Sequence, residues 1–407
     1  MLENIAARLG GAGFETANAV YKFAAIKKMK AEAARAHPEM SLIDMGVGEP
    51  DQAADPGIVA VLAEEAGKPE NRYYADNGIP EFQEAAARYL EKVFGLQGIV
   101  PETDILHGIG SKPILAMLPQ VFINPGDVCI TTVPGYPVLA THARYLGGEV
   151  FPLPLRPEND FYPDFAEIPA AVLKRAKLLY LNYPNNPTGQ TATRAFYAGV
   201  VDFAMRHRLT VISDASYAAI TLDGSPPLSF LAIPGAREVG AEIHSLSKAF
   251  NMTGWRLAFL TGHPKLIKAY GTVKDNTDSG QFRAIQKAGV YALNHPEITE
   301  RQCRRYARRM KHLALVLREV GFAAAPAKAA FYCYVPIPRG ARSGMAFASA
   351  GDCAAYLIRA ALIATVPWED CGHYLRFSVT YQAADEEAEN RVMAELKSRL
   401  LGLEMVF

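Results

Sequence analysis

A chain of 407 residues, half of them hydrophobic and 21% charged, is long enough for two domains of roughly 100–200 residues each and too apolar to remain unfolded. Lys and Arg number 42 and Asp and Glu number 42, so no basic excess suggests a nucleic-acid surface, and any anion site has to be local. No stretch approaches the about 18 consecutive apolar residues of a membrane span. The start lacks the basic-then-apolar pattern of a secretory signal. Five scattered cysteines (Cys129, Cys303, Cys333, Cys353 and Cys371), with no CxxC pair, read as reduced thiols of a cytoplasmic protein, without a disulfide frame or a metal site.

In chain order, residues 1–45 are expected to form an N-terminal arm and part of a smaller domain. Residues 46–295 alternate short apolar strands with helical patterns. The strands are predicted at 128–133, 178–182, 209–214, 242–245 and 257–261, with a helix at 191–208 after the turn at 185–189. Such alternation argues for an α/β domain with a mostly parallel sheet flanked by helices. Ligands of such sheets sit beyond the carboxyl ends of the strands. From 296 to 407 the texture changes to a smaller α+β domain. It holds a long charged helix over 296–321, strands at 331–335 and 375–379, and helices near 352–361 and 386–400.

Four polar clusters follow predicted strands. His107-Gly-Ile-Gly-Ser-Lys-Pro113 opens a helix, and backbone N–H groups at a helix start bind phosphate; glycine-rich turns are also common on structural grounds alone. Asn182-Tyr-Pro-Asn-Asn-Pro-Thr-Gly189 marks a turn, and turns at strand ends also hold side chains toward a ligand. Asp214 ends an apolar strand, where it either caps a helix or faces a cationic partner. Tyr217, three residues on, is a donor or an ordinary core aromatic. Lys248, in His244-Ser-Leu-Ser-Lys-Ala-Phe-Asn-Met-Thr-Gly-Trp-Arg256, is a surface lysine or a buried one. A buried ammonium is costly, and forming an imine removes that cost. A pyridine aldehyde phosphate accounts for all four clusters. The lysine carries it, the carboxylate keeps its ring nitrogen protonated, and Ser111, Ser245 and Arg256 complete a phosphate cup.

Joined with Gly-Glu-Pro-Asp at 48–51, Tyr73 five residues before Gly78, Pro-Gly-Tyr-Pro at 134–137 and Leu-Arg-Phe-Ser at 375–378, these clusters come in the order found in the fold-type I, pyridoxal 5'-phosphate-dependent aminotransferases of class I and II. The chain resembles that family over about residues 40–380. The resemblance implies a large cofactor domain with a seven-stranded type of sheet. It implies that Lys248 bonds the cofactor, Asp214 meets the ring nitrogen, and Tyr217 and Asn186 meet the ring oxygen. Tyr136 stacks on the ring, and Gly110, Ser111, Lys112, Ser245 and Arg256 hold the phosphate. Arg376 clamps the substrate α-carboxylate, helped by Gly48 and Asn186. Tyr73 reaches the phosphate of a second subunit, so a homodimer with shared sites is implied. The chemistry implied is ping-pong amino transfer between an amino acid and a 2-oxo acid, with Lys248 as the proton carrier.

Residues 46–51, 71–80, 108–113, 133–145, 181–188, 242–256 and 273–281 are most similar to a branch of the LL-diaminopimelate aminotransferases. That branch makes LL-2,6-diaminopimelate with glutamate as amino donor, on the route to lysine. Asp76, three residues after Tyr73, stands where an acidic residue meets the distal ammonium of the substrate. The better-known branch has Glu there, one methylene longer, and Asp76 also suits a plain turn in Ala-Asp-Asn-Gly. Tyr21 and Lys22 in the arm are candidates for closing over the substrate. Aspartate, alanine or aromatic aminotransferases remain alternatives. More distant ones are a β-lyase, a cyclopropane-forming synthase and the cofactor-binding part of a transcription regulator.

Overall fold

The computed structural model describes residues 4–14 and 22–407. These divide into two compact units. The larger comprises Glu49–Arg308 and Ala327–Phe331. Its sheet has seven strands: β1 (Ile105–Gly108), β2 (Val128–Val133), β3 (Glu149–Pro154), β4 (Ala176–Asn182), β5 (Thr210–Asp214), β6 (Gly240–Ser245) and β7 (Ala258–Gly262). Their order is β1-β7-β6-β5-β4-β2-β3. The pairings among β3, β2, β4, β5 and β6 are parallel, and β7 runs antiparallel to both neighbours.

The central strands are buried along almost their whole length, which is why they read as apolar runs without alternation. The side chains still alternate between faces. Leu179 and Leu181 of β4 join one hydrophobic cluster with Val211, Phe230 and Phe259. Leu178 and Tyr180 join the other, with Ile212, Ile243 and Leu260. Helix Ser111–Phe122 leaves β1 through a left-handed Gly110 (φ 86°). Helix Arg194–His207 starts where the Thr193 hydroxyl accepts from the Phe196 N–H at 3.1 Å, a side-chain cap of the usual kind. The parallel strands thus deliver residues 134–137, 182–189, 214–217 and 245–248 at one end of the sheet, just past their carboxyl ends.

The smaller unit comprises the described residues up to Gly48, Arg309–Pro326 and Tyr332–Phe407. It has a three-stranded antiparallel sheet: β8 (Tyr332–Pro336), β9 (Val366–Trp368) and β10 (Tyr374–Ser378), in the order β9-β10-β8. Helices Ala350–Ala361 and Glu386–Gly402 belong to it. A buried Arg309 donates to Glu389 Oε1 (2.8 Å) and to the carbonyls of Val379 (2.9 Å) and Tyr381 (3.0 Å), the kind of pairing a buried guanidinium needs.

The division differs from the expected break at 295/296. It falls between Arg308 and Arg309, inside the continuous helix Glu297–Glu319, and a helix without a breaker carries no local sign of such a boundary. Residues 327–331 also belong to the larger unit. Among the described residues no helix is long and apolar enough to cross a membrane, and no group of three His, Cys, Asp or Glu side chains is placed to hold a metal.

Candidate active site

In the larger unit, Asp214 is 4% exposed at the carboxyl end of β5. Its register partner on β4 is Asn182, so Tyr180, Asn182 and Asp214 share one face of the sheet. The Tyr180 hydroxyl donates to Asp214 Oδ2 at 3.0 Å, the Ser216 hydroxyl and N–H donate to Oδ1 at 2.6 and 3.2 Å, and Asn182 Nδ2 donates to the Asp214 carbonyl at 2.9 Å. Burial pushes the carboxyl above its ordinary pKa, and the Ser216 and Tyr180 bonds oppose that rise. Burial, and next the Asp214 charge, push the Tyr180 phenol well above its own ordinary value, so Tyr180 remains a donor. Tyr217 is buried edge-on to Phe331, with ring centroids 5.4 Å apart. Tyr180 and Ser216 were not singled out in the sequence. Tyr180 looks like any aromatic in an apolar strand, and only its register with Asp214 marks it.

Lys248 lies on the single turn Leu246–Ala249 directly after β6, partly buried, with Ser245 as the capping side chain that accepts from the Ser247 N–H (3.2 Å). Gln302 Nε2 donates to the Lys248 carbonyl at 3.1 Å and fixes that turn from outside. Arg256 has a left-handed backbone (φ 58°), and its Nη1 donates to the Thr253 carbonyl at 2.7 Å. A Cβ built on Gly110 would lie 2.3 Å from Arg256 Nη2 and 2.8 Å from Cζ. The bare glycine therefore lets the guanidinium sit against the start of helix Ser111–Phe122, where first-turn N–H groups have no partner within the helix. The structure thus brings Gly110, Ser111 and Arg256 together. Lys112 is exposed, and Tyr136 is half-buried against the cluster that holds Tyr180.

Behind this corner, Gln281 Nε2 donates to the carbonyls of Trp255 (2.7 Å) and Arg256 (2.9 Å), and Gln281 Oε1 meets His107 Nε2 at 2.9 Å. Burial lowers the His107 pKa to about 4, with the Gln281 bond opposing. Asn186 is held by its own N–H, which donates to Asn182 Oδ1 at 2.9 Å.

These groups suit pyridoxal phosphate. A cationic ring nitrogen supplies the opposite charge that burial denies to Asp214. The Gly110–Arg256 corner combines a guanidinium with helix-start N–H groups, the donor set for a phosphate.

In the smaller unit, Arg376 of β10 is 2% exposed, with its guanidinium carbon 4.1 Å from the Tyr332 ring centroid. Its Nη2 donates to the Gly46 carbonyl at 3.2 Å. A Cβ on Gly48 would lie 3.2 Å from the Tyr332 hydroxyl and 3.8 Å from Arg376 Nη2, so residue 48 borders this arginine and Tyr332 is an addition to the expected set. Tyr73 (54% exposed) and Asp76 lie on the surface of the larger unit. Arg72 Nη2 donates to the Tyr73 hydroxyl at 2.5 Å. Tyr21 lies outside the described residues.

The sequence model of the family described as aminotransferase class I and II matches residues 41–395. A protein of Methanocaldococcus jannaschii named LL-diaminopimelate aminotransferase is 55% identical over 410 residues, covering 99% of this chain and 98% of that one. Its namesake in Methanococcus maripaludis is 49% identical with the same coverage. Among solved structures, substrate-bound BacF from Bacillus subtilis superposes with a TM-score of 0.88 at 31% identity, covering 99% of this chain and 98% of that one. An aspartate aminotransferase double mutant from Thermus thermophilus superposes at 0.83 with 25% identity, covering 97% and 99%. This chain therefore belongs to the class I and II aminotransferases and uses their cofactor, pyridoxal 5'-phosphate.

Proposed function

We propose that the chain transfers an amino group between LL-2,6-diaminopimelate and 2-oxoglutarate, in the direction of lysine biosynthesis, as a cytoplasmic homodimer. The observation that carries this reading is the 55% identity, over nearly the whole of both chains, with a protein named LL-diaminopimelate aminotransferase. The exposed Tyr73 and Asp76 support a second copy of the chain as the partner, because an aromatic and a carboxylate at the surface of one subunit are free to enter the site of another.

When bound, pyridoxal phosphate supplies an electron sink for the pair left at the substrate α-carbon. Lys248 would carry the cofactor at rest, and its freed amine would move the proton from the substrate Cα to the cofactor C4′ as base and then acid. Asp214, kept in place by Tyr180 and Ser216, would face the ring nitrogen. Tyr217 and Asn186 would bond the ring oxygen, and Tyr136 would cover the ring face. Gly110, Ser111, Lys112, Ser245 and Arg256 would hold the phosphate, and Tyr73 would add a bond from the partner subunit. Arg376 takes the α-carboxylate in bidentate fashion, with Gly48 and Asn186 beside it. Asp76 of one subunit meets the distal ammonium of diaminopimelate bound in the other.

Steady-state rates with LL-diaminopimelate, aspartate and alanine as donors to 2-oxoglutarate test the reading. Diaminopimelate is expected to be preferred. The second reading, an aspartate aminotransferase, is favoured only by the Thermus structural neighbour and predicts the reverse order.

A further inference from the structure

Lys274 is fully buried near the end of helix Pro264–Asp275. A buried ammonium is destabilising unless its hydrogens are taken up by charged or strongly polar acceptors. Here Nζ donates to Asp278 Oδ1 at 2.5 Å and to the backbone carbonyl of Asp76. Asp278 Oδ1 also accepts from the Gly280 N–H at 2.8 Å. Gly280 has φ 81°, and a Cβ there would lie 2.6 Å from the Ala75 carbonyl carbon and 2.7 Å from the Asp76 nitrogen. The Asp76 backbone is thus held on both sides of its Cα, by a cation at its carbonyl oxygen and by a bare glycine against the peptide that joins it to Ala75.

The flanks are held from the same stretch of chain. Arg283 Nη2 donates to the Tyr74 carbonyl at 2.7 Å, Asn77 Nδ2 donates to Asp275 Oδ1 at 2.7 Å, and the Ile79 N–H donates to Gln286 Oε1 at 2.9 Å. The Asp76 residue itself remains exposed. Its charge is at the surface while its backbone is fixed from the interior by a charge-assisted bond, the strong kind. A turn that only reversed the chain would not need a buried cation behind it.

We infer that Lys274 is a positioning residue for substrate selectivity. Its bond to the Asp76 carbonyl fixes where the Asp76 carboxylate stands and thereby sets the preference for an amino acid with a second, distal ammonium. The inference rests on the reading that Asp76 meets that ammonium. Lys274 touches neither substrate nor cofactor in this account. It acts only through the turn, with Gly280 as the surface against which the turn rests.

The test uses the holoenzyme and compares the two half-reactions, with diaminopimelate and with glutamate as donor. Lys274→Met is expected to raise the KM for diaminopimelate severalfold, up to the about tenfold that losing one hydrogen bond to a charged group costs. The glutamate half-reaction and the cofactor absorbance are expected to stay within about twofold of the parent, a difference too small to register as a lost interaction. Gly280→Ala, which displaces Asp76 from its amide side without removing a charge, is expected to give the same split, and it decides the matter if Lys274→Met does not fold. Lys274→Arg is expected to restore part of the preference. In an Asp76→Asn background, Lys274→Met is expected to cost no further selectivity, because both changes act on one interaction.

Equal losses on both donors, no loss, or a further loss of selectivity in the Asp76→Asn background would overturn the inference. Asp76→Asn alone separates the two levels. If it abolishes the preference and the Lys274 and Gly280 variants do not, the positioning role fails and the Asp76 reading stands. If Asp76→Asn leaves the preference intact, the Asp76 reading fails and the inference falls with it.

Discussion

Two regions of the larger unit handle charge in opposite ways. Around Asp214 the polar groups are buried at strand ends, and burial itself perturbs them: the carboxyl is pushed up, and two hydroxyls are drawn in to satisfy it. Around Asp76 the carboxylate is exposed, and the buried charge is a lysine beneath the turn. In the proposed reading the first region governs the bound cofactor ring, and the second serves only to discriminate among substrates. On that reading, catalysis rests on groups whose burial is costly, and selectivity rests on a surface turn held from behind.

The largest expected effect lies in the buried region. Lys248→Ala should remove the absorbance of lysine-bound cofactor and lower turnover by about 10⁴-fold, since it removes both the attachment and the proton carrier; an active variant would break the comparison at once. Asp214→Ala should cost about 10²–10³-fold in turnover, the scale for losing one preorganised charge partner, and should lower cofactor affinity, read by titrating the apoprotein. In the smaller unit, Arg376→Met should lower kcat/KM by about 10²-fold for every amino acid tried, because a buried carboxylate partner is worth about 2–5 kcal/mol; a loss confined to one substrate would contradict a general carboxylate clamp.

Asp76→Ala sharpens the contrast. It should lower kcat/KM for diaminopimelate by about tenfold, as for one hydrogen bond to a charged group, and leave glutamate nearly untouched. Equal losses would make Asp76 an ordinary turn residue. The smallest effect is on stability. His107 is buried and its pKa is lowered from 6.5 to about 4, so between these values the unfolded chain binds more protons than the folded one. The contribution of the neutral imidazole is complete above pH 6.5, declines as the pH falls, and is lost below about 4. Thermal unfolding of His107→Gln against the parent across that interval should show a shallower acid-side decline in the variant.

Much of this was legible because motif and strand end coincide. The strand at 128–133 has the predicted bounds, and the turns after β4, β5 and β6 fall where the polar clusters do. The reversed direction of β7 was not legible, because an apolar run of five residues looks the same in either direction. The unit boundary was hidden by an unbroken helix. Gly110 beside Arg256 joined residues far apart in sequence, and only the packing shows why the glycine is bare. Tyr180 and Lys274 were missed for a common reason. Each is ordinary in its own element, and its partner, Asp214 or Asp76, becomes visible only across the fold.

The central claim is most directly tested by a coupled assay of the purified holoenzyme with LL-diaminopimelate and 2-oxoglutarate, run beside aspartate and alanine at equal concentration. The account predicts glutamate formation with kcat/KM highest for LL-diaminopimelate and a loss of that preference in Asp76→Ala. A parent enzyme that prefers aspartate or alanine, or that leaves diaminopimelate untouched, would contradict it.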